Sequence, residues 1–498
     1  MACGIPIIDQ AINHDEHSIA LRADSGEHSY AELLNRSRTV ASNLLDDAAD
    51  LNEQRIAFLL PNGLEYIVVQ WAIWQAGGAA VPLSLSAQPR ELEYTIRDSQ
   101  ANVVITSESN THALASIAKR QDVRIVTVES FDNNAIVRLP NIDPQRRAMI
   151  LYTSGTTNKP KGVVSTHANI ESQITTLVEA WEWQPEDCIP LFLPLHHIHG
   201  IINVLSCALW IGATIEAFPR FEIDSILKRV ADHAFSVFMA VPTIYVKLIQ
   251  KLESLIEDER LAITQGFRKM RLMVSGSAAL PASVHQKWFE LTGQKLLERY
   301  GMTEIGMAIS NPFHGERRPG AVGQPLPRVD VRLKSENGKI VTSDNQPGEI
   351  QVRGPSVFLE YWHKPEITAE SFDEGWFQTG DMAVYEDGYL RIMGRLSVDI
   401  IKSGGYKLSA LEIESELLEH PFIRECAVVG IADETWGESV VAAVVAEEDG
   451  QLDLQTLRNW CKDRLSHYKI PKQLVVVENL PRNAMGKVTK PAVRDFFE

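Results

Sequence analysis

The 498-residue chain has no basic surplus: 48 Lys and Arg stand against 65 Asp and Glu, a formal net charge of −17. A nucleic-acid partner is disfavoured, because a phosphate backbone is held by cations that displace its counterions. Cysteine is scarce as well. The five present (Cys3, Cys188, Cys207, Cys426 and Cys461) show no CxxC spacing, which argues against a disulfide framework or a zinc site and for a reducing compartment. Cys188 and Cys207 read as small buried apolar residues. No apolar run reaches membrane-spanning length. The first residues, with Asp9, Asp15 and Glu16, lack a charged-then-apolar signal pattern, and Asp495-Phe496-Phe497-Glu498 is no peroxisomal tripeptide. The expectation is a cytoplasmic protein without membrane insertion. Internal repeats and low-complexity segments are also absent.

What is present has the composition of a globular enzyme, 45% apolar and 23% charged. The length exceeds what one core supports, so at least two domains are expected. Arg55 to Leu60 reads as a strand, followed by a helix with Leu64, Ile67, Val68, Trp71 and Trp74 on one face and Gly77-Gly78 at its end. Further buried strands are expected at Asn102–Thr106, Val123–Val128, Ala148–Tyr152, Phe235–Val241 and Met270–Ser275, most followed by helical periodicity. The alternation predicts an α/β fold, with mostly parallel sheets layered against helices in a large N-terminal domain. A boundary near Gly394-Arg395-Leu396-Ser397 divides residues 1–395 from a small α+β domain over 396–498. In the latter, Glu412–Glu419 and Leu454–Leu465 read as helices, and Glu425–Ile431, Val440–Ala446 and Gln473–Glu478 as strands.

The most restrictive segment is Tyr152-Thr153-Ser154-Gly155-Thr156-Thr157-Asn158-Lys159-Pro160-Lys161-Gly162. Small residues let backbone N–H groups approach phosphate oxygens, while hydroxyls and lysines offset the charge. A solvated Ser/Thr turn is the alternative. A Walker loop is excluded, because Lys161 precedes Gly162 and Val163 follows. The loop resembles the phosphate-binding signature of the adenylate-forming superfamily, which includes acyl-CoA synthetases, peptide-synthetase adenylation domains and luciferases. That family usually has Gly where this chain has Asn158, a residue that also tolerates left-handed backbone.

Other segments match the same superfamily in order, and their roles follow from that resemblance. In Glu298-Arg299-Tyr300-Gly301-Met302-Thr303-Glu304, following an apolar helix end near Leu296-Leu297, the resemblance has Tyr300-Gly301 meet adenine, Thr303 the α-phosphate and Glu304 a Mg²⁺ ion. It has Asp381 accept the ribose hydroxyls, with Arg395 beside it. Thr153, Ser154, Gly155, Thr156, Thr157, Lys159 and Lys161 cradle ATP, Thr156 near the metal. Lys487, in Pro481-Arg482-Asn483-Ala484-Met485-Gly486-Lys487, matches the adenylation lysine and acts with Thr303 and Glu304. A carboxylate attacking the α-phosphorus brings two anions together, a repulsion of roughly 4 kcal/mol at 4 Å and an effective dielectric near 20, which cations must offset. The small domain is then expected to rotate about Ser397, where the family usually has Asp or Lys. Ser403, Gly404, Gly405 and Tyr406 would then line a tunnel for the thiol of coenzyme A.

The acid is indicated by fewer residues. Arg299 could grip a second carboxylate, or could turn outwards to pair with Glu298 or Glu304. His197, in Pro194-Leu195-His196-His197-Ile198-His199-Gly200, is expected at the pocket mouth rather than on a metal. Gly276, Ser277 and Ala278 would line the other wall, with Ser277 toward the substrate carboxylate and the nucleotide. These segments resemble the malonyl-CoA synthetase branch of the superfamily from about Arg147 onwards. The implied reaction is malonate, and possible homologues such as methylmalonate, with ATP and coenzyme A giving the acyl thioester, AMP and diphosphate. A short- or medium-chain monocarboxylate synthetase and a catalytically silent nucleotide-binding protein of the same fold remain alternatives, as does loading of a carrier-protein thiol.

Overall fold

The computed structural model describes residues 3–132, 137–153, 159–403, 406–447, 452–482 and 488–497. Its centre is a seven-stranded sheet whose strands Arg55–Leu59, Ala79–Pro82, Val103–Thr106, Arg124–Thr127 and Arg147–Thr153 run parallel. Lys161–Thr166 and Glu360–Tyr361 extend it in antiparallel pairing. Arg55–Leu59, Ala79–Pro82 and Val103–Thr106 are short apolar runs buried on both faces, as their composition predicts, whereas the edge strand Arg124–Thr127 is half-exposed. The intervening helix Leu64–Gln75 differs from expectation. It is buried all round, with Tyr66, Val69 and Ile73 as covered as Trp71 and Trp74. A one-faced apolar stripe suits a surface helix; this one is interior, and the Trp74 indole N–H donates to the Ala148 carbonyl at 2.7 Å.

A second sheet carries Val237–Ala240, Leu272–Ser275 and Leu297–Met302 in parallel, then Gly306–Ser310 and Gln324–Pro325 in antiparallel pairing. Leu296 and Leu297 therefore enter a buried strand and do not end a helix. The preceding helix stops at Thr292, and Gly293 turns the chain with φ +75°. A third sheet joins Ile19–Ala23, Gly26–Ser29, Cys188–Leu191 and Thr214–Ala217. The fourth, with Asp330–Lys334, Gly348–Arg353, Trp376–Glu386 and Tyr389–Arg395 as its long strands, is antiparallel throughout. It is the largest element that the sequence reading did not anticipate.

From Ile400 onward a fifth sheet forms from Ile400–Ser403, Tyr406–Ser409, Ile423–Asp433, Gly437–Ala446 and Gln473–Val476. Alternate residues of its two longest strands feed separate apolar clusters. Val428, Val440, Ala442 and Val444 pack with Ile413, Leu417, Leu457 and Cys461, whereas Val429, Val441, Ala443 and Val445 pack with Leu480 and Val493. The period of two thus covers both faces. The five cysteines are free, and burial raises the thiols of Cys3 and Cys188, to about 12 and about 11. Among the described residues no helix is long and apolar enough to cross a membrane.

Candidate active site

The strand pair Arg147–Thr153 and Lys161–Thr166 aligns Thr153 with Lys161, so both flanks of the phosphate loop leave the same sheet edge. Ser154, Gly155, Thr156, Thr157 and Asn158 lie outside the described residues. Thr153 is half-buried and Lys159 exposed. The Lys161 ammonium sits 4.5 Å from the centroid of the Tyr361 ring, and the Tyr361 hydroxyl donates to Glu304 Oε1 at 2.9 Å.

Glu304 follows Thr303 in the tight connection between Leu297–Met302 and Gly306–Ser310. That connection depends on a glycine: a Cβ on Gly301 would lie 2.2 Å from the Gly306 carbonyl oxygen. Glu304 is buried, and burial raises its carboxyl, opposed by the Tyr361 hydroxyl and by the cations Arg395 and Lys161. Beside it the Tyr300 hydroxyl donates to Asp381 Oδ2 at 2.6 Å, while Arg395 Nε donates to Asp381 Oδ1 at 3.0 Å. Asp381 and Arg395 are direct cross-strand partners. One contiguous array, Lys161–Tyr361–Glu304 and Tyr300–Asp381–Arg395, is thus assembled from three sheets.

The second half of the site surrounds Arg299. Its strand position opposite Ser310 carries the side chain inward, and only 4% of the residue is exposed. The guanidinium lies against Gly276, where a Cβ would meet its Cζ at 2.5 Å. Nη2 donates to Ser277 Oγ at 3.4 Å, and Nε has no acceptor. Neither Glu298 nor Glu304 is a partner: Glu298 accepts from the Gly320 N–H at 2.9 Å, and Glu304 serves Tyr361. Burial pushes Arg299 down to about 9, so it is a cation at neutral pH. Ser277 Oγ also meets His199 Nδ1 at 3.1 Å. Ser277 holds φ +70°, a conformation costing a side-chain-bearing residue about 1–3 kcal/mol. Burial and the neighbouring Arg299 hold His199 well below the usual imidazole range, so it is neutral. Its Nε2 has no partner. His197 is half-buried, with its ring 4.2 Å from that of His196, which burial lowers to about 4. Ala278 is exposed beside Ser277.

Two residues at this site escaped sequence reasoning. His199 stood in the His-rich motif, but only its π-helical start at His199–Ser206 turns it toward Ser277. Tyr361 lies far along the chain in a two-residue strand, where no local signal marks it.

The thiol-tunnel residues are elsewhere. Ser403 and Tyr406 face each other across a hairpin whose Gly404 and Gly405 lie outside the described residues. Tyr406 stacks on Tyr468, with centroids 4.6 Å apart, and lines a cavity of about 270 Å³ with Asn345, Pro347 and Arg391. Lys487 also lies outside the described residues. Ser397 sits in the turn closed by hydrogen bonds from Val398 and Asp399 N–H to the Arg395 carbonyl. For Mg²⁺, Glu304 offers one buried hard carboxylate among cations, a donor set that suits a metal completed by phosphate oxygens and water. Among the described residues no cluster of three or more acidic, His or Cys side chains could hold a metal alone.

Comparison with known proteins bears on the whole chain. The profile of the AMP-binding enzyme family matches residues 8–362, and that of the AMP-binding enzyme C-terminal domain matches 412–487. The mitochondrial malonate–CoA ligase of Xenopus laevis is 44% identical, covering 99% of this chain and 92% of its own. The malonate–CoA ligase of Arabidopsis thaliana is 39% identical over 96% of this chain and 86% of its own. ATP-bound MatB from Rhodopseudomonas palustris superposes with a TM-score of 0.89 at 33% identity, over 99% of both chains. With the fold, the ordered motifs and both profiles in agreement, the chain belongs to the AMP-binding enzyme family.

Proposed function

We propose that the protein is an AMP-forming acid–CoA ligase whose acid is malonate. The observation carrying the choice of acid is Arg299: a buried guanidinium with no carboxylate partner among the described residues, flanked by the Ser277 hydroxyl and a neutral His199. A buried cation is stable only when compensated, and the second carboxylate of a C3 dicarboxylic acid supplies that charge. Neutral His199 and Ser277, hydrogen-bonded to each other, then have one proton between them to offer it, the His199 Nε2–H when Ser277 donates to Nδ1 or the Ser277 O–H when Nδ1–H donates, and neither competes as a cation. Methylmalonate carries the same carboxylate and is the expected secondary substrate.

The reaction has two halves. A carboxylate oxygen of malonate attacks the α-phosphorus of ATP, and diphosphate leaves. The sulfur of coenzyme A then attacks the acyl carbon and AMP departs. Asp381, oriented by Tyr300 and Arg395, takes the ribose hydroxyls. Thr153 and Lys161 flank the phosphates with residues 154–158, and Lys487 offsets charge at the reacting phosphoryl group. Glu304, assisted by Thr303, would hold Mg²⁺, which neutralises phosphate charge when bound. Residues 1–395 and 396–498 act as two domains pivoting at Ser397, bringing Ser403, Gly404, Gly405 and Tyr406 to the site for the thiol step. The free cysteines, three of them buried, support a reducing compartment: cytoplasm is our assignment, and the vertebrate relative carries a mitochondrial name.

Arg299→Ala tests the reading. Malonate kcat/KM should fall by about 10²-fold or more, the cost of deleting one partner of a buried charge pair, while any turnover of acetate or butyrate stays within about threefold. Equal loss on both acid classes would overturn the assignment.

A further inference from the structure

One buried ionic cluster lies outside the site just described. Lys490 is 8% exposed, and its ammonium is 2.6 Å from Asp399 Oδ1 and 2.7 Å from Glu414 Oε1. Each carboxylate has a second duty. Asp399 Oδ2 accepts from the Arg395 N–H at 2.9 Å, and the Asp399 N–H returns to the Arg395 carbonyl at 2.7 Å. Glu414 Oε1 accepts from the Val428 N–H at 2.7 Å, joining its helix to the edge strand Ile423–Asp433 of the fifth sheet. Three charges with a net negative sum are costly to bury, and an apolar trio of similar volume is commonly as stable. Stability alone does not account for the arrangement.

Its position does. Lys490 stands three residues after Lys487, and the chain on both sides of residues 483–487 is pinned. Arg482 pairs with Val488, and the Thr489 N–H donates to the Pro481 carbonyl at 2.8 Å. On the other side, Asp399 stands two residues after Ser397 and grips the backbone of Arg395, whose side chain holds Asp381. The linker is tight there: Gly394 adopts φ +118°, and a Cβ on it would meet Asp399 Cβ at 2.4 Å. A continuous path of contacts therefore runs from the ribose carboxylate through the linker to the segment that bears Lys487.

We infer that Lys490 is a positioning residue: through Asp399 and Glu414 it fixes residues 488–490 to the linker, and this tether supports the adenylation half-reaction assigned to Lys487. This rests on the adenylating function proposed above. The thiol half-reaction uses another face of the small domain and does not draw on Lys487, so the two halves should respond differently.

The test compares Lys490→Met, Lys490→Arg and Asp399→Asn in the full chain. Two readouts are needed: amide hydrogen exchange over 488–494, and the two half-reactions measured separately, as malonate-dependent diphosphate release and as thioester formation from supplied malonyl-adenylate. Lys490→Met and Asp399→Asn should exchange faster at 488–494. They should slow diphosphate release by about 30-fold through kcat, with the KM for ATP and thioester formation within about threefold of the parent. Lys490→Arg should recover part of the loss. Unchanged exchange, or equal loss in both half-reactions, overturns the inference. Asp399→Asn leaves the Lys490–Glu414 pair intact and carries the test if Lys490→Met does not fold. If the parent releases no diphosphate with malonate, the acid assignment has failed, and exchange at 488–494 still decides whether Lys490 tethers the segment.

Discussion

At the scale of single residues, types were legible and partners were not. Thr303, Glu304, Asp381 and Arg395 stand out because the segments that carry them resemble the superfamily's motifs in order. Yet the side chain that holds Glu304 is Tyr361, fifty-seven positions away, and the hydroxyl that bridges Arg299 to His199 is presented by a left-handed Ser277. Contacts of this reach depend on which sheets meet, which local spacing does not encode. Arg299 illustrates the gain. Its sequence neighbours Glu298 and Glu304 made an outward ion pair the lesser alternative, and the strand buries the side chain away from both. Glu304 yields a prediction at this scale. Glu304→Gln keeps an acceptor for Tyr361 but removes the charge, so adenylate formation should fall by about 10²-fold. The melting temperature should hold or rise, because a buried charge is lost. Steady-state diphosphate release and a thermal melt check it; wild-type turnover would refute the role.

At the scale of elements, parallel strands were legible because both their faces are buried, leaving short apolar runs bounded by turns. The antiparallel fourth sheet was not. Asp330–Lys334 and Trp376–Glu386 mix buried and half-exposed positions with charge, and strands of two residues such as Phe372–Asp373 carry no period at all. The strand Leu297–Met302 was misread as following a helix end because Leu296-Leu297 is apolar in either geometry. That strand also buries Glu298, whose carboxyl burial raises to about 8. An unfolded chain releases this proton near the ordinary carboxylate range, whereas the folded chain retains it until about pH 8. Between those values the folded state binds more protons, so the contribution of Glu298 to stability is present at low pH and is lost as pH rises through about 8. Glu298→Gln, still able to accept from Gly320, should flatten the decline of melting temperature between pH 5 and pH 8. An unchanged slope would count against it.

At the scale of the molecule, the expectation of a division near residue 395 rests on a change of pattern, from βα alternation to a compact α+β run. The two family profiles fall on either side of it. Relative orientation was not legible, because it resides in a few contacts: the Arg395–Asp399 turn, the Lys402–Glu336 ion pair, and the Tyr406–Tyr468 stack against Asn345 and Pro347. In this orientation Tyr406 lies against Asn345, Pro347 and Arg391, the last on the strand Tyr389–Arg395 of the fourth sheet. The proposed two-step reaction requires a second orientation for that reason. The net charge of −17 has no part in the proposed chemistry, which assigns the anionic substrates to local cations at Lys161, Arg299 and Arg395. The proposed chemistry of this framework is formation of an acyl-adenylate from a dicarboxylic acid. The most direct measurement is AMP formation by the purified chain with ATP, Mg²⁺ and coenzyme A, supplied in parallel with malonate, acetate and butyrate. Malonate should give AMP and malonyl-CoA in equal amounts, with kcat/KM about 10³-fold above either monocarboxylate. Release of ADP, or monocarboxylates turned over as well as malonate, would contradict the account.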